Sequence, residues 1–464
     1  MKVEVKNLGI IKEATVDLSK KMIILCGPNG TGKTYLSYLL NAILDDNSGF
    51  NFRSFQSIQS SILGKGVFTL SLAMINEFLE QEANNIKKSL GVIFGLPEDK
   101  VLKMFKNFEL RISLDKVDLD TISQTTFKFK FSLNDQNNYT FTKKEGLDVF
   151  IEKIKGQKES PQNDLFKNSH ILNIAVCSFI RKCAYTPIGD SHMLTVERNS
   201  IYTFKTELSL SRNELVDQML DMKERDNLII SLLEHSSRRY PLAIRESLKI
   251  ANDLVHIQSL KSPYYDIGEI VETSLLNGKV MVNRNGDVEF VPEHSARTRL
   301  PFHMASSSVK TLSSLIIFLK HIAGKNTMLI IDEPEMNIHP NNQILLAQLF
   351  AVMVNSGIRI IVSTHSDYFI REFNNLIMAY NLVTTEDTDV PTEYSLQSKT
   401  YLNPQIVEVD YFGNLKRNKV VAESLPIDGR TGFNVKSIDD AIDKQNENSD
   451  ILYNELLYQS NKNE

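Results

Sequence analysis

Three polar clusters, each at the end of an apolar run, hold the residues of this chain that could do chemistry together. The first is Gly27-Pro28-Asn29-Gly30-Thr31-Gly32-Lys33-Thr34. Its glycines allow backbone N–H groups to wrap a polyphosphate without a Cβ in the way. A helix opening near Thr34 would add its positive dipole end, Lys33 would reach the β- and γ-phosphates, and the Thr34 hydroxyl would take a position on Mg2+. The second cluster is Asp332-Glu333, with Asp332 expected to hold Mg2+ through water and Glu333 to orient or polarise an attacking water. The third is Ser363-Thr364-His365-Ser366, whose His365 could contact the γ-phosphate or that water. The chemistry so described is nucleotide binding followed by hydrolysis of the terminal phosphate.

Such groups need strands and helices to bring them together. Met22–Leu25 is an apolar strand before the first cluster, and Leu36, Leu39, Leu40 and Ile43 follow it at helical spacing. Met328–Ile331 is a short continuous apolar run, as expected of a central parallel strand, and Ile358–Val362 reads as a second buried strand; such strands end where α/β folds bind nucleotides. Two further strands, Lys2–Asn7 and Glu13–Leu18, open the chain. Lys279–Val282 and Asp287–Val291 flank Asn283-Arg284-Asn285-Gly286, a hairpin signal. Leu312, Leu315, Ile316 and Leu319 mark one helix, and Ile344, Leu345, Leu349 and Phe350 another. In the middle section, Ala73 to Leu90 is helical, Phe108–Ser113 and Phe127–Phe131 alternate as strands, and residues 155–168 form a polar loop. Helical patterns run from Glu207 to Gln258. The tail after 411 is polar, and its end is expected to be unstructured. There is no internal repeat and no sustained heptad.

Composition narrows the setting. A chain of 464 residues is too long for one core, so two or three domains are expected. Hydrophobic residues at 42% and charged residues at 23% are those of a soluble globular protein. A net charge of −5 excludes coating of nucleic acid by bulk electrostatics, although a local basic stripe remains open. Cys26, Cys177 and Cys183 form no CxxC pair and no zinc spacing, which fits a reducing cytosol. Cys26 reads as a small buried residue at the end of its strand. The alternating N-terminus carries no signal-peptide pattern, and no stretch nears the about 18 apolar residues of a membrane span. The expected location is cytoplasmic, or at a membrane only through a partner.

The order of phosphate loop, Asp-Glu pair and histidine resembles an ATP-binding-cassette ATPase rather than a Ras-like or AAA+ one. In such ATPases a signature loop precedes the Asp-Glu strand. Ala305-Ser306-Ser307-Ser308-Val309-Lys310 is similar to the Leu-Ser-Gly-Gly-Glu-Lys signature of SMC-type ATPases, with Ser306 at the serine and Lys310 at the lysine. The resemblance implies that Ser306, Ser307, Ser308 and Lys310 complete the ATP site of an opposite subunit, in a homodimer or higher homo-oligomer. Ser307 and Ser308 stand where the family has glycines, which implies slow or conditional turnover. Asp332-Glu333-Pro334-Glu335-Met336-Asn337-Ile338-His339-Pro340 resembles the Asp-Glu-Pro-Glu…Leu-His-Pro run of OLD-family ATPases, which are related to RecF and common in anti-phage systems. Residues 1–50 and 270–380 carry the likeness.

The resemblance implies an α/β fold: an ABC/SMC-type P-loop ATPase head with a large mixed α+β insertion, using ATP and Mg2+. Residues 1–60 and 265–410 would form the head, 61–264 the regulatory insertion and 411–464 the tail. Val420-Val421-Ala422-Glu423 superficially matches the start of a Toprim nuclease, but no Asp-x-Asp follows, so any nuclease effector is expected to be a separate chain. The implied role is sensor or scaffold of a bacterial defence module, such as a Septu-, PARIS- or retron-associated system. A RecF-like repair ATPase and a nucleotide-gated interaction module are the rival readings, with DNA or RNA as a further expected contact. Arg238, Arg239, Arg245 and Lys249 could form a nucleic-acid-facing stripe, though a solvated helix face is the preferred reading. Glu197-Arg198-Asn199, Arg297 and Arg299 are weaker candidates for phosphate contacts across an interface, and Gln56 and Gln59 for a sensor loop. Tyr264-Tyr265 reads as core or interface packing.

Overall fold

The structure, a computed structural model, describes residues 1–45, 67–132, 138–153, 169–186, 188–205, 240–295, 298–385, 389–390, 398–416 and 419–462. Gln56, Gln59, Arg238, Arg239, Arg297 and the expected loop at 155–168 lie outside these residues.

The chain opens with an antiparallel pair, β1 (Lys2–Leu8) and β2 (Ile11–Asp17), followed by β3 (Met22–Cys26) and helix α1 (Lys33–Leu44). The middle section contributes β4 (Val67–Thr69), β5 (Glu109–Ser113), β6 (Phe127–Ser132), β7 (Asn138–Lys143), β8 (Asp148–Lys153) and β9 (Ser191–Leu194). Then come the three-stranded set β10 (Gly278–Val282), β11 (Val288–Pro292) and β12 (Leu300–Pro301), with Asn283–Gly286 at the expected turn. The later strands are β13 (Met328–Asp332), β14 (Arg359–Thr364), β15 (Val407–Lys416) and β16 (Lys419–Ser424).

Among the described residues the large sheet runs β5-β1-β2-β16-β15-β3-β14-β13-β9. The strands β15, β3, β14, β13 and β9 are mutually parallel, so their carboxyl ends share one edge. The α/β fold class expected from the sequence is what the chain adopts. Both faces of the parallel part are covered, and side chains alternate between them. Ile23, Leu25, Ile330 and Ile361 pack with Leu36, Leu39, Leu40 and Ile43 of α1. On the other face, Met22, Ile24, Leu329, Ile331, Ile360 and Val362 join Leu312, Leu315, Phe350 and Phe373 from three helices, Ser307–Ile317, Pro340–Asn355 and Asp367–Thr384.

The expected segment boundaries do not follow this sheet. Strands β5 and β9, from the middle section, pair with β1 and β13, and the β15–β16 hairpin crosses position 411 to lie between β3 and β2. The hydrophobic pattern conceals β15 because Glu408 and Asp410 interrupt it. Asp410 is nonetheless fully buried. The polar tail also differs from expectation: Lys436–Lys462 is one long, exposed helix, and its charged composition suits a solvated helix as well as a coil.

The middle section also builds a second sheet, β4-β8-β7-β6, in which Phe127, Phe129 and Phe141 pack on Phe179 of the helix Ser169–Tyr185. That helix is tied to the phosphate-loop helix. Arg181 donates to the carbonyls of Ile43 (3.0 Å) and Asp45 (2.8 Å) at the end of α1 while pairing with buried Glu82.

Candidate functional site

The phosphate loop leaves β3 at the edge where its parallel neighbours also end. Cys26 pairs with Thr364, and Asp332 with Ser363, so the loop, Glu333 and His365 emerge side by side. Two glycines are dictated by local geometry. Gly27 (φ +137°) has the Phe412 carbonyl oxygen of β15 2.8 Å from where a Cβ would stand, and Gly32 (φ +96°) has an Ile11 side-chain carbon at 2.7 Å. Gly32 is also the left-handed residue from which α1 starts. Beneath the loop, the Cys26 thiol is pushed up to about 12 by burial and by nearby Asp410. Cys26 is therefore an inert packing residue, as the sequence suggested.

Lys33 is almost wholly buried, and its ammonium donates to the carbonyls of Gly27 (2.8 Å) and Pro28 (2.9 Å). Burial lowers its pKa, while Asp332 and Glu333 act to raise it. The Thr31 hydroxyl donates to the Pro28 carbonyl at 2.8 Å, bracing the same turn. Asp332 is 1% exposed. Its Oδ1 accepts from the Ser363 hydroxyl, and Thr34 supplies another side-chain contact to the carboxyl group. Its Oδ2 is buried without a hydrogen-bond partner, and burial raises the pKa of the group. An orphaned carboxylate oxygen beside a lysine and a threonine suits a hydrated divalent cation on a polyphosphate.

A cavity of about 540 Å³ opens over the loop, lined by Asn29, Gly30, Thr31, Gly32, Lys33, Thr34 and Glu333, with Ile10, Tyr35 and Met104 on its apolar wall. The glycine-rich face of this cavity has the backbone geometry that suits a phosphate chain. His365 is 41% exposed, with Nδ1 3.5 Å from Glu335 Oε1 and 3.9 Å from Glu333 Oε1.

A family model described as an AAA ATPase domain matches residues 1–370. The chain belongs to this family. Solved structures similar to it include an Smc head bound to the C-winged helix domain of ScpA, at 12% identity and TM-score 0.36, covering 92% of this chain and 97% of that one. Another is an Smc head with an extended coiled coil bound to the C-terminal domain of ScpA from Pyrococcus furiosus (13% identity, TM-score 0.32, 96% and 98% covered). A third is the SMC head domain from Thermotoga maritima (9% identity, TM-score 0.29, 92% and 98% covered). No curated protein sequence matches the chain.

Within this AAA ATPase domain, the structure brings Gly27–Thr34, Asp332, Glu333 and His365 together but keeps the serine-rich loop apart. Ser306 caps the helix Ser307–Ile317, accepting from the Val309 amide at 3.3 Å. Ser308 donates to the Asn337 carbonyl (3.3 Å) and Lys310 to the His303 carbonyl (2.8 Å). Ser306 and Ser307 are exposed, and neither they nor Ser308 and Lys310 line the cavity.

Several weaker candidates take other places. Arg198 is not a free contact for a partner's phosphate: it is buried on the carbonyls of Asp332 and Glu333. Arg299 pairs with Glu289 at 3.4 Å. Arg245 turns inward to the Val92 carbonyl at 3.2 Å, which removes it from a basic stripe, while Lys249 is exposed. Tyr264 is buried, and Tyr265 packs between Lys261, Lys320 and His321, as packing residues do.

Sequence reasoning missed Glu335 as a site residue. Its Oε1 accepts from the Thr364 hydroxyl (2.7 Å) and the His365 amide (2.9 Å), fixing the turn that carries the histidine. The signal was available in the second glutamate of Asp332-Glu333-Pro334-Glu335.

Proposed function

We infer that this AAA ATPase domain is an ABC/SMC-type ATPase of OLD kind that hydrolyses ATP in a site shared between two copies of the chain. The observation that carries the reading is the separation just described. Lys33, Thr34 and Glu333 line one open cavity, with Asp332 buried next to Glu333, while Ser306 and Ser307 at the helix start are exposed outside that cavity. A serine-capped helix start offers hydroxyl and N–H donors suited to a phosphate held by another copy.

In this mechanism the loop amides and Lys33 bind the phosphates, exchanging the Gly27 and Pro28 carbonyls for phosphate oxygens. Thr34 and Asp332 would hold Mg2+, which when bound neutralises charge on the phosphates. Glu333 orients the attacking water and accepts its proton, and His365, oriented by Glu335, senses the terminal phosphate. Ser306, Ser307 and Ser308 of a second copy close the cavity and exclude bulk water.

Mixing two inactive variants tests the shared site. Lys33→Ala removes the phosphate grip, and Ser307→Arg blocks the exposed serine loop. Neither should hydrolyse ATP alone, whereas their mixture should recover turnover from mixed pairs holding one intact site. A mixture as inactive as its parts would contradict the sharing.

The biological role we propose is that of a cytosolic sensor in an anti-phage module, in which ATP-driven closure governs a separate effector such as a nuclease. It is supported by the OLD-like run Asp332–Pro340. Among the described residues no helix is long and apolar enough to cross a membrane. Phage challenge of cells carrying the locus with Lys33→Ala should abolish protection. Retained protection would sink the role.

A further inference from the structure

Glu333 has φ +46°, in the left-handed region that a residue with a side chain rarely occupies. The Glu333 peptide groups are gripped from both sides. The Glu333 amide donates to the Ser363 carbonyl at 3.0 Å. The Glu333 carbonyl accepts from Arg198 Nη2 at 2.7 Å, and the preceding Asp332 carbonyl accepts from Arg198 Nη1 at 2.6 Å. Arg198 Nη1 also donates to the Thr195 carbonyl at 2.9 Å, and the whole side chain is only 1% exposed.

We propose that Arg198 is a positioning residue for hydrolysis, holding the Glu333 backbone in the conformation that presents its carboxylate to the phosphate-loop cavity. The planar guanidinium meets two successive carbonyls with two separate nitrogens in a fixed fork, whereas a lysine ammonium would have to serve both from a single nitrogen on a flexible stem. The grip is itself anchored. Arg198 opens a helical run over 198–205, at whose other end Lys205 donates to the Gly286 carbonyl (2.5 Å) and pairs with Asp287 (3.2 Å). The adjoining Glu197 accepts from the Tyr38 hydroxyl of α1 at 3.5 Å. The strut therefore spans the phosphate-loop helix, the Asp-Glu strand end and the β10–β11 turn. Among the described residues, the hydrogen bonds of Arg198 go to main-chain carbonyls.

The proposal rests on the reading of Glu333 as the residue that acts on water, so Glu333→Gln is measured beside Arg198→Lys and Arg198→Met. A misplaced Glu333 should lower kcat roughly 10- to 100-fold in Arg198→Lys. KM, and the affinity for a non-hydrolysable ATP analogue measured by calorimetry, should stay within about threefold of the unmodified protein. Arg198→Met should be worse in kcat than Arg198→Lys. Adding Arg198→Lys to Glu333→Gln should cost no further rate, because the two act as one unit. Unchanged kcat in Arg198→Lys, full additivity with Glu333→Gln, or a fall in affinity and melting temperature parallel to kcat would each overturn the proposal. Variants that fail to fold fall in this last class, since they show a purely structural role. Wild-type turnover in Glu333→Gln would instead overturn the reading of Glu333, whatever Arg198 does.

Discussion

At the scale of single residues, the site is an arrangement of charges held out of water. Lys33 carries its ammonium into a buried position, where burial lowers its pKa and the acids Asp332 and Glu333 oppose that shift. Its partners in the free protein are two neutral carbonyls, so a phosphate is a better acceptor for it. Replacing Lys33 by alanine should therefore weaken ATP binding by roughly 100-fold or more, since hydrogen bonds to charged groups are worth about 1.5–3 kcal/mol each. Calorimetric titration checks this, and affinity within a few fold of the unmodified protein would contradict it. The placement of Lys33, Thr34, Asp332 and His365 near one another was legible in the sequence because each belongs to a polar cluster that follows a buried strand. Arg198 and Glu335 were harder to read. Arg198 speaks to backbone carbonyls, and a contact with the main chain leaves no complementary residue in the sequence to find.

At the scale of elements, β15 shows what pattern reading loses. It lies beside β3, and its Phe412 carbonyl sits where a side chain on Gly27 would go. Gly27→Ala should consequently displace the loop and lower both melting temperature and ATP affinity; a variant matching the unmodified protein in both would show that the strand can yield. The same strand carries a pH dependence. Burial pushes Asp410 up to about 8, with Glu408 raising it further, and Glu408 up to about 7, with Asp17 raising it further. An unfolded carboxyl titrates near pH 4, so between about pH 4 and 8 the folded chain holds more protons than the unfolded one. Stability is then greatest at the acid end of that window and declines as pH rises through the folded values. Asp410→Asn should flatten the decline in melting temperature between pH 5.5 and 8. An unaltered slope would remove Asp410 from the explanation. These buried acids are also why no strand is legible at 407–416, whereas β3 and β13, wholly buried, are plain as apolar runs.

At the scale of the whole molecule, the described strands of the middle section are part of the nucleotide-binding sheet as well as of a separate one. Strands β5 and β9 extend it at either side, and Arg181 fastens the helix Ser169–Tyr185 to the end of α1. The middle section is thus joined to the phosphate-loop helix by direct hydrogen bonds. Strand identity was legible for the opening and for 278–364, where alternation or continuous burial is clean. Membership of one sheet was not, because pairing partners far apart in sequence leave no local signal. In the proposed mechanism Glu333 activates water in a site closed by a second copy. Its most direct test is the mass and nucleotide content of Glu333→Gln after incubation with ATP and Mg2+, measured by light scattering with analysis of the bound nucleotide. A species of twice the monomer mass that retains intact ATP is expected; a monomer releasing ADP and phosphate at the unmodified rate would rule out both the shared site and the role of Glu333.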